Sequence, residues 1–306
     1  MSDSSSQIMT GPSRRTATRE LLRLMRPYQW IKNVFVFAGV LFGGELTDAD
    51  LVLRAFAAFV GFSLISSAVY VINDLSDRER DRLHPVKRLR PLAAGTVSAP
   101  AAIVLAGTLL AFGTAIAWSA SPWVLAAVLL YVFLNGTYSA GLKHVVILDV
   151  FMIAAGFMLR LLAGTAGLGI PPSHWLLLCG MMVSLFMGFA KRRSELSSSI
   201  EGEYGHRRVL ESYTPALLDA MIAVTATSVV ITYSLYTMSP DTVLIHGTDK
   251  LIYTVPFVLF GLFRYLFLLY RRTGGEDPSR ELVRDPSILT AASLWLAVTA
   301  WLLYGG

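Results

Sequence analysis

Residues 70–95, from Tyr70 to Gly95, read YVINDLSDRERDRLHPVKRLRPLAAG. An apolar run beginning at Leu51 leads into this stretch, which then holds four acids, six basic residues and one Asn. If a helix continues out of the apolar run, Asn73, Asp77 and Asp81 recur every four residues and share one face, flanked by Tyr70 and Asp74. Oxygen ligands at that spacing suit a hard cation such as Mg2+ that is shared with a phosphate. Lys87, Arg88 and Arg90, which follow, suit the phosphates themselves. A charged loop that merely stops a membrane helix is the plainer account. It leaves carboxylates at a helix C-terminus, where they oppose the helix dipole and call for a compensating charge. A bound cation is the simplest one.

The composition favours a membrane setting. Of 306 residues, 54% are hydrophobic and 15% charged, against about 25% charged in a soluble domain. The single cysteine, Cys179, lies in an apolar run; it excludes an intrachain disulfide and a cysteine-built zinc site, and reads as packing. Residues 1–13 are polar and Ser-rich, and Arg14, Arg15, Arg19, Arg23 and Arg26 precede the first apolar run. That pattern predicts a disordered tail over 1–20 with a basic interfacial segment, no signal peptide, and one transmembrane domain over 21–306. The net charge of +5 does not call for nucleic acid, because the basic residues sit between hydrophobic spans.

Nine apolar runs approach the length of a bilayer crossing: about 31–44, 51–74, 99–118, 122–140, 145–167, 173–190, 214–237, 250–270 and 286–304. No strand-like alternation appears. The expected fold is therefore an all-α polytopic membrane protein with nine transmembrane helices. Of the 26 Lys and Arg residues, 22 fall in alternate loops on one side. By the positive-inside rule that side is cytoplasmic, with the N-terminus, and the C-terminus lies outside. The protein is thus expected in the cell membrane with its charged end in the cytoplasm. Arg160 and Arg264 lie inside spans; Arg264 is near enough to an end to snorkel, whereas Arg160 is deep and reads as facing a polar cavity.

The same cytoplasmic end gathers further groups. Arg26 to Asn33, RPYQWIKN, brings Lys32 to the start of the first run; Tyr138 to His144, YSAGLKH, puts Lys143 and His144 in a short loop; Lys191 to Glu195, KRRSE, ends the sixth run with Lys191 and Arg192. Trp30 and Lys32 also suit an interfacial anchor and an ordinary flank, and a basic helix end is favoured by its dipole. Together with the acidic stretch they make a polar pocket open to the cytoplasm, fit for a soluble diphosphate meeting a lipid.

The run Asn73-Asp74-Leu-Ser-Asp77-Arg-Glu-Arg-Asp81 resembles the NDxxDxxxD signature of the UbiA superfamily of intramembrane prenyltransferases. That resemblance implies a UbiA-type nine-helix bundle with a cytoplasm-facing polar cavity and a Mg2+-dependent site. Typical members carry a second Asp-rich motif after the sixth helix, where this chain has Lys191-Arg192-Arg193-Ser194-Glu195. Two acidic motifs holding two Mg2+ ions are therefore not expected. RPYQWIKN, the acidic stretch, GLKH, the Arg160 region, KRRSEL and the following SYT together resemble the branch of the superfamily that transfers 5-phosphoribose to decaprenyl phosphate.

That likeness implies 5-phosphoribosyl 1-diphosphate as donor, a polyprenyl monophosphate as acceptor, and a product leading towards cell-wall arabinan. It also implies roles. Asn73, Asp77 and Asp81 hold Mg2+ on the donor diphosphate, with Asp74 as ligand or second acceptor. Lys32 and Tyr70 face the ribose or diphosphate, and Lys87 and Arg88 the phosphates. Lys143, Arg160, Lys191 and Arg192 grip the lipid phosphate beside Tyr138, with His144 next to them. A homo-oligomer stays open. The competing expectations are a prenyltransferase using a polyprenyl diphosphate, against which the missing second acidic motif counts, and a transporter, for which no internal repeat is seen.

Overall fold

The computed structural model describes residues 14–199, 208–271 and 284–304. All regular structure in them is helical, without a strand. Twelve α-helices follow in order: α1 (Arg14–Met25), α2 (Ala38–Phe42), α3 (Ala49–Ser76), α4 (Arg78–Arg82), α5 (Ala99–Ala120), α6 (Pro122–Ala140), α7 (Leu148–Gly164), α8 (His174–Ser199), α9 (Pro215–Met238), α10 (Pro240–His246), α11 (Val255–Arg271) and α12 (Pro286–Tyr304). Short 3-10 helices join several of them. The tail expected over 1–20 lies outside the described residues up to 13, and from Arg14 the chain is helical.

The long helices begin where the sequence places caps. Asp48 accepts from the backbone N–H groups of Asp50 and Leu51 ahead of α3. Ser121 and Thr214 do the same for α6 and α9, each followed at once by Pro122 or Pro215; a proline in the first turn forfeits no hydrogen bond. Close approach rests on small residues: a Cβ on Gly113 of α5 would sit 2.8 Å from Ile65 of α3, the sort of contact that packs helices where no solvent drives them together. One core gathers Phe62, Ile65, Val124, Val128 and Leu159 between α3, α6 and α7. A second joins Val150, Phe186, Phe189, Leu218 and Ile222 of α7, α8 and α9.

Eight helical segments are long and apolar enough to cross a membrane among the described residues. The ninth expected span, 31–44, has a different form. Pro27–Phe37 is an eleven-residue 3-10 helix, followed by the five residues of α2. Such runs rarely exceed four residues, so this one needs a cause, and its side chains supply it. Trp30 Nε1 donates to Ser67 Oγ at 2.9 Å, and Asn33 Nδ2 donates to Ser63 Oγ at 2.9 Å. Three residues of 3-10 helix rise about 6 Å, and the four residues separating the two serines on an α-helix also rise about 6 Å. An α-helical Trp30–Asn33 step would rise only about 4.5 Å and fall out of register with α3.

The same three-residue row continues through Val36 to Gly39, where the backbone of α7 lies. A Cβ on Gly39 would come within 1.8 Å of the Gly164 carbonyl oxygen, and one on Gly164 within 1.7 Å of the Val36 carbonyl. Only glycine fits at either position. One face of the 3-10 helix is thus bolted to α3 and α7, which leaves Ile31, Lys32 and Phe35 facing cavities on the other side.

Candidate active site

The acidic motif forms where α3 outruns the membrane. Its 28 residues span about 42 Å at 1.5 Å per residue, against about 30 Å of hydrocarbon, so its last turns stand in a polar region. Asp77 interrupts the helix for one residue, yet its N–H still bonds the Asn73 carbonyl at 2.9 Å, and the Asp81 N–H bonds the Asp77 carbonyl at 2.8 Å. The four-residue spacing of Asn73, Asp77 and Asp81 therefore survives the break.

The carboxylates differ sharply. Asp74 is buried and takes Arg26 at 2.6 Å and Arg90 at 3.0 Å. Asp81, also buried, takes the same Arg90 at 2.7 Å. Two acids and two guanidinium groups thus neutralise one another. Burial would lower the Arg26 pKa, but the charge and hydrogen bond of Asp74 hold it above its ordinary value. Arg26 also lies over the ring of Tyr70, 5.1 Å from its centroid, which makes Tyr70 part of the arginine's support. Asp77 is the open member: its side chain is 41% exposed, with Arg80 at 3.6 Å.

Among the described residues, no three acidic, histidine or cysteine side chains converge as a ready-made metal cage. The oxygen donors still fit a hard cation. Asn73 and Asp77 stand one turn apart, and Mg2+ commonly takes one or two protein oxygens and completes its shell with phosphate and water. Asp81, expected as a third ligand, is held by Arg90 instead. Asp74, expected beside the ions, ties the α1 end and the segment bearing Arg90 to α3.

Beyond the acids, Lys87 and Arg88 share a single 3-10 turn, with Lys87 half-buried and Arg88 exposed. That turn closes on His84, whose Nδ1 accepts from the N–H groups of Val86 and Lys87 at 3.2 and 3.3 Å. Burial and the neighbouring Lys87 lower the His84 pKa, which keeps the ring neutral for this acceptor role.

The other charged loops meet the motif through α6. Ser139 Oγ donates to Asn73 Oδ1 at 3.3 Å. The adjacent Tyr138 hydroxyl accepts from Arg192 at 2.9 Å. Two neighbouring residues of α6 therefore connect the ends of α3 and α8. Lys143 and His144 follow on the next 3-10 turn. Lys143 and Lys191 are half-buried, and neither side chain makes an ion pair or hydrogen bond among the described residues.

Arg192 takes a different position from the one expected. It is fully buried and bonds Asp149 at 2.5 Å, and it also bonds Glu195. Its charge is consumed within the protein. Tyr213 completes the group by donating to Asp149 at 2.8 Å; burial, and then this hydrogen bond, push its pKa up to about 12. Asp149 was the missed residue, although a lone acid inside an apolar run carries the same signal as Arg160: an intramembrane charge needs a partner.

Arg160 is buried, and its described contacts are an amide, a backbone carbonyl and three rings. Its Nε donates to the buried Asn33 Oδ1 at 2.5 Å and another nitrogen to the Gly156 carbonyl at 2.6 Å. Tyr131, Phe157 and Phe62 surround the guanidinium at 4.6, 5.5 and 5.7 Å. No carboxylate pairs with it among the described residues. Cation–π attraction in a desolvated site contributes about 2 kcal/mol per good contact, so the rings and Asn33 replace a counter-ion. Arg264, expected to snorkel, pairs with Asp285 at 2.8 Å.

Two apolar cavities flank the 3-10 helix. One, of about 370 Å³, lies between it and α8, α11 and α12, with Lys32 as its single charged lining residue. The other, of about 980 Å³, continues from it through shared walls at Ile31, Phe35 and Trp295 and has no charged lining residue.

A multi-pass helical bundle with phosphate-sized cations and one open acid at its polar end, and an apolar hollow beneath, describes an intramembrane enzyme acting on lipids. Residues 33–284 match the UbiA prenyltransferase family, and the chain belongs to that family of transferases. It is 34% identical over 294 residues to the decaprenyl-phosphate phosphoribosyltransferase of Mycolicibacterium smegmatis, covering 93% of this chain and 92% of that one. The enzyme of the same name from Corynebacterium glutamicum is 33% identical over 285 residues, covering 92% and 84%. A UbiA homolog from Archaeoglobus fulgidus, solved with GPP and Mg2+, shares the fold at a TM-score of 0.67 and 19% identity, over 93% of this chain and 99% of that one.

Proposed function

We propose that this enzyme transfers 5-phosphoribose from 5-phosphoribosyl 1-diphosphate to a polyprenyl phosphate, decaprenyl phosphate in the closest chemistry, and releases diphosphate. The observation that carries this reading is the state of the α8 end. A lipid diphosphate donor in the usual manner of the family calls for acids at both helix ends, but here the α8 end offers Arg192 with its charge already matched and Lys191 without a partner among the described residues. That end suits an anion. The names of the relatives support the same substrates, and the product would serve cell-wall arabinan synthesis. The positive-inside count supports a cytoplasmic position for this end, where a soluble sugar diphosphate would reach it.

Asn73 and Asp77 would hold Mg2+, and the chemistry it would supply there is neutralisation of the charge on a leaving diphosphate. Lys87 and Arg88 lie on the loop beside them and bind the donor's phosphates. The lipid phosphate is anionic at neutral pH and needs no strong general base. Lys143 and Lys191 orient it towards the anomeric carbon, with the Tyr138 hydroxyl beside it. Lys32 sits at the wall of the apolar cavities, which fit the polyprenyl chain, and so its charge belongs with the lipid head rather than with the ribose.

The test uses purified protein with Mg2+, 5-phosphoribosyl 1-diphosphate and polyprenyl phosphates of several lengths. Diphosphate release and a phosphoribosylated lipid are expected together. No product across all the lipids would refute the proposal. The Archaeoglobus structure with GPP supports the second reading, transfer of a prenyl chain; radiolabel moving from a polyprenyl diphosphate to an acceptor would establish that one.

A further inference from the structure

The turn between α6 and α7 contains the one strained β-branched residue of the described chain. Ile147 has φ of 68°, a conformation rare for any residue but glycine and unusual for isoleucine. Strain of this kind costs about 1–3 kcal/mol and persists only where surrounding contacts enforce it. Two contacts hold it: the Leu148 N–H bonds the Val146 carbonyl at 2.8 Å, closing a three-residue turn around Ile147, and the Tyr213 hydroxyl accepts from the Ile147 N–H at 2.7 Å. The same hydroxyl donates to Asp149 Oδ1, while Asp149 Oδ2 accepts from Arg192 Nε at 2.5 Å. Arg192 then reaches Tyr138 at 2.9 Å. One network therefore grips the turn at both ends, Tyr138 where α6 closes and Ile147 where α7 opens. Lys143 and His144 lie between.

We propose that Tyr213, Asp149 and Arg192 are positioning residues, which bend the α6–α7 turn into its strained shape and so present Lys143 and the Tyr138 hydroxyl to the acceptor phosphate. The three are buried, at 3%, 0% and 0% exposure, and act through the turn rather than on substrate. Asp149 also lies in the first turn of α7, where its charge favours the helix N-terminus; Arg192 therefore adjoins an acid that is already well placed. Without the Tyr213 hydroxyl, the Ile147 N–H loses its partner, only the Leu148–Val146 bond still closes the turn, and its strained shape is held less firmly.

The assignment of the acceptor phosphate to this turn rests on the proposed phosphoribosyl transfer, and the test separates the two. Tyr213→Phe keeps the ring beside Val209 and Leu210 and removes one oxygen. Two measurements are made on wild type and variant: KM for polyprenyl phosphate and for 5-phosphoribosyl 1-diphosphate, and the rate of tryptic cleavage after Lys143 in detergent. The expected result is a KM for the lipid raised about tenfold, the size of one lost hydrogen bond, with the donor KM within about twofold and faster cleavage at Lys143. Asp149→Asn should move both readouts the same way if Tyr213→Phe fails to fold. Unchanged cleavage overturns the proposal, as does faster cleavage with both KM values unmoved, or a uniform loss of kcat and melting temperature with no KM split. An inactive wild type would refute the phosphoribosyl reading alone, because the cleavage rate still reports whether the network shapes the turn.

Discussion

The ends of α3 and α8 are built from the same materials with opposite outcomes. At the α3 end, the acids come from the helix itself and the cations from elsewhere, Arg26 and Arg90. Those two arginines match Asp74 and Asp81 and leave Asp77 open. At the α8 end the buried cation, Arg192, comes from the helix and meets two acids, Asp149 from α7 and Glu195 from α8 itself. Among the described residues, that arrangement leaves Lys191 unmatched. Each end recruits opposite charge to bury its core group and keeps a residue of its own sign within reach of solvent, Asp77 at one and Lys191 at the other. The α3 end is therefore suited to a cation and the α8 end to an anion, although both belong to one polar face joined by Tyr138 and Ser139.

The largest expected effect comes from breaking the α8 pair. Arg192→Met should destabilise the protein by about 3–5 kcal/mol, because Asp149 is left buried and uncompensated. Adding Asp149→Leu should restore most of that loss, measured by denaturation in detergent, since removing both charges spares their desolvation. Failure of the double variant to recover would mean that the pair does more than balance charge. The α3 end should respond in activity instead. Asp77→Asn should lower diphosphate release about 10²–10³-fold, the scale of one preorganised electrostatic group, with stability changed by less than about 0.5 kcal/mol because the side chain is half exposed.

A smaller effect is expected at Arg90. Arg90→Ala leaves Asp74 with Arg26 but strips Asp81 of its cation, at a cost of about 1–3 kcal/mol. If Asp81 instead serves a metal and not the arginine, the variant should keep both its stability and its activity. The smallest effect is a pH response. The Tyr213 hydroxyl has its pKa raised from 10.0 to about 12 by burial and the Asp149 bond. Its contribution is fully present below pH 10 and fades as the pH rises through about 12. The melting temperature should therefore show no Tyr213-dependent step between pH 7 and 9, and Tyr213→Phe should lower it by a constant amount in that range and abolish the step above it.

The sequence made the α3 end legible because acids at helical spacing beyond an apolar run oppose the dipole, a conflict visible without coordinates. The eight long spans were legible for the same reason that hydropathy works in lipid: only helices satisfy their backbone there. The 3-10 segment was not. An apolar run of that length reads alike in α and 3-10 form, and its geometry is set by Ser63 and Ser67 on another helix. Arg160 was flagged as a buried cation but given a polar cavity. The rings of Phe62 and Tyr131 that receive it are distant in sequence and look like ordinary core. Asp149 escaped notice, and Tyr213 carried no role beyond its place in SYT, because their meaning lies in Arg192, 43 residues from Asp149.

The contrast between the two ends makes one claim above the rest: a single cation site, at Asn73 and Asp77. Counting bound Mn2+ by electron paramagnetic resonance, with the protein saturated in 5-phosphoribosyl 1-diphosphate, tests it without relying on turnover. The account predicts one ion per chain, lost in Asp77→Asn and retained in Glu195→Gln. Two ions per chain, or one that survives Asp77→Asn, would contradict it.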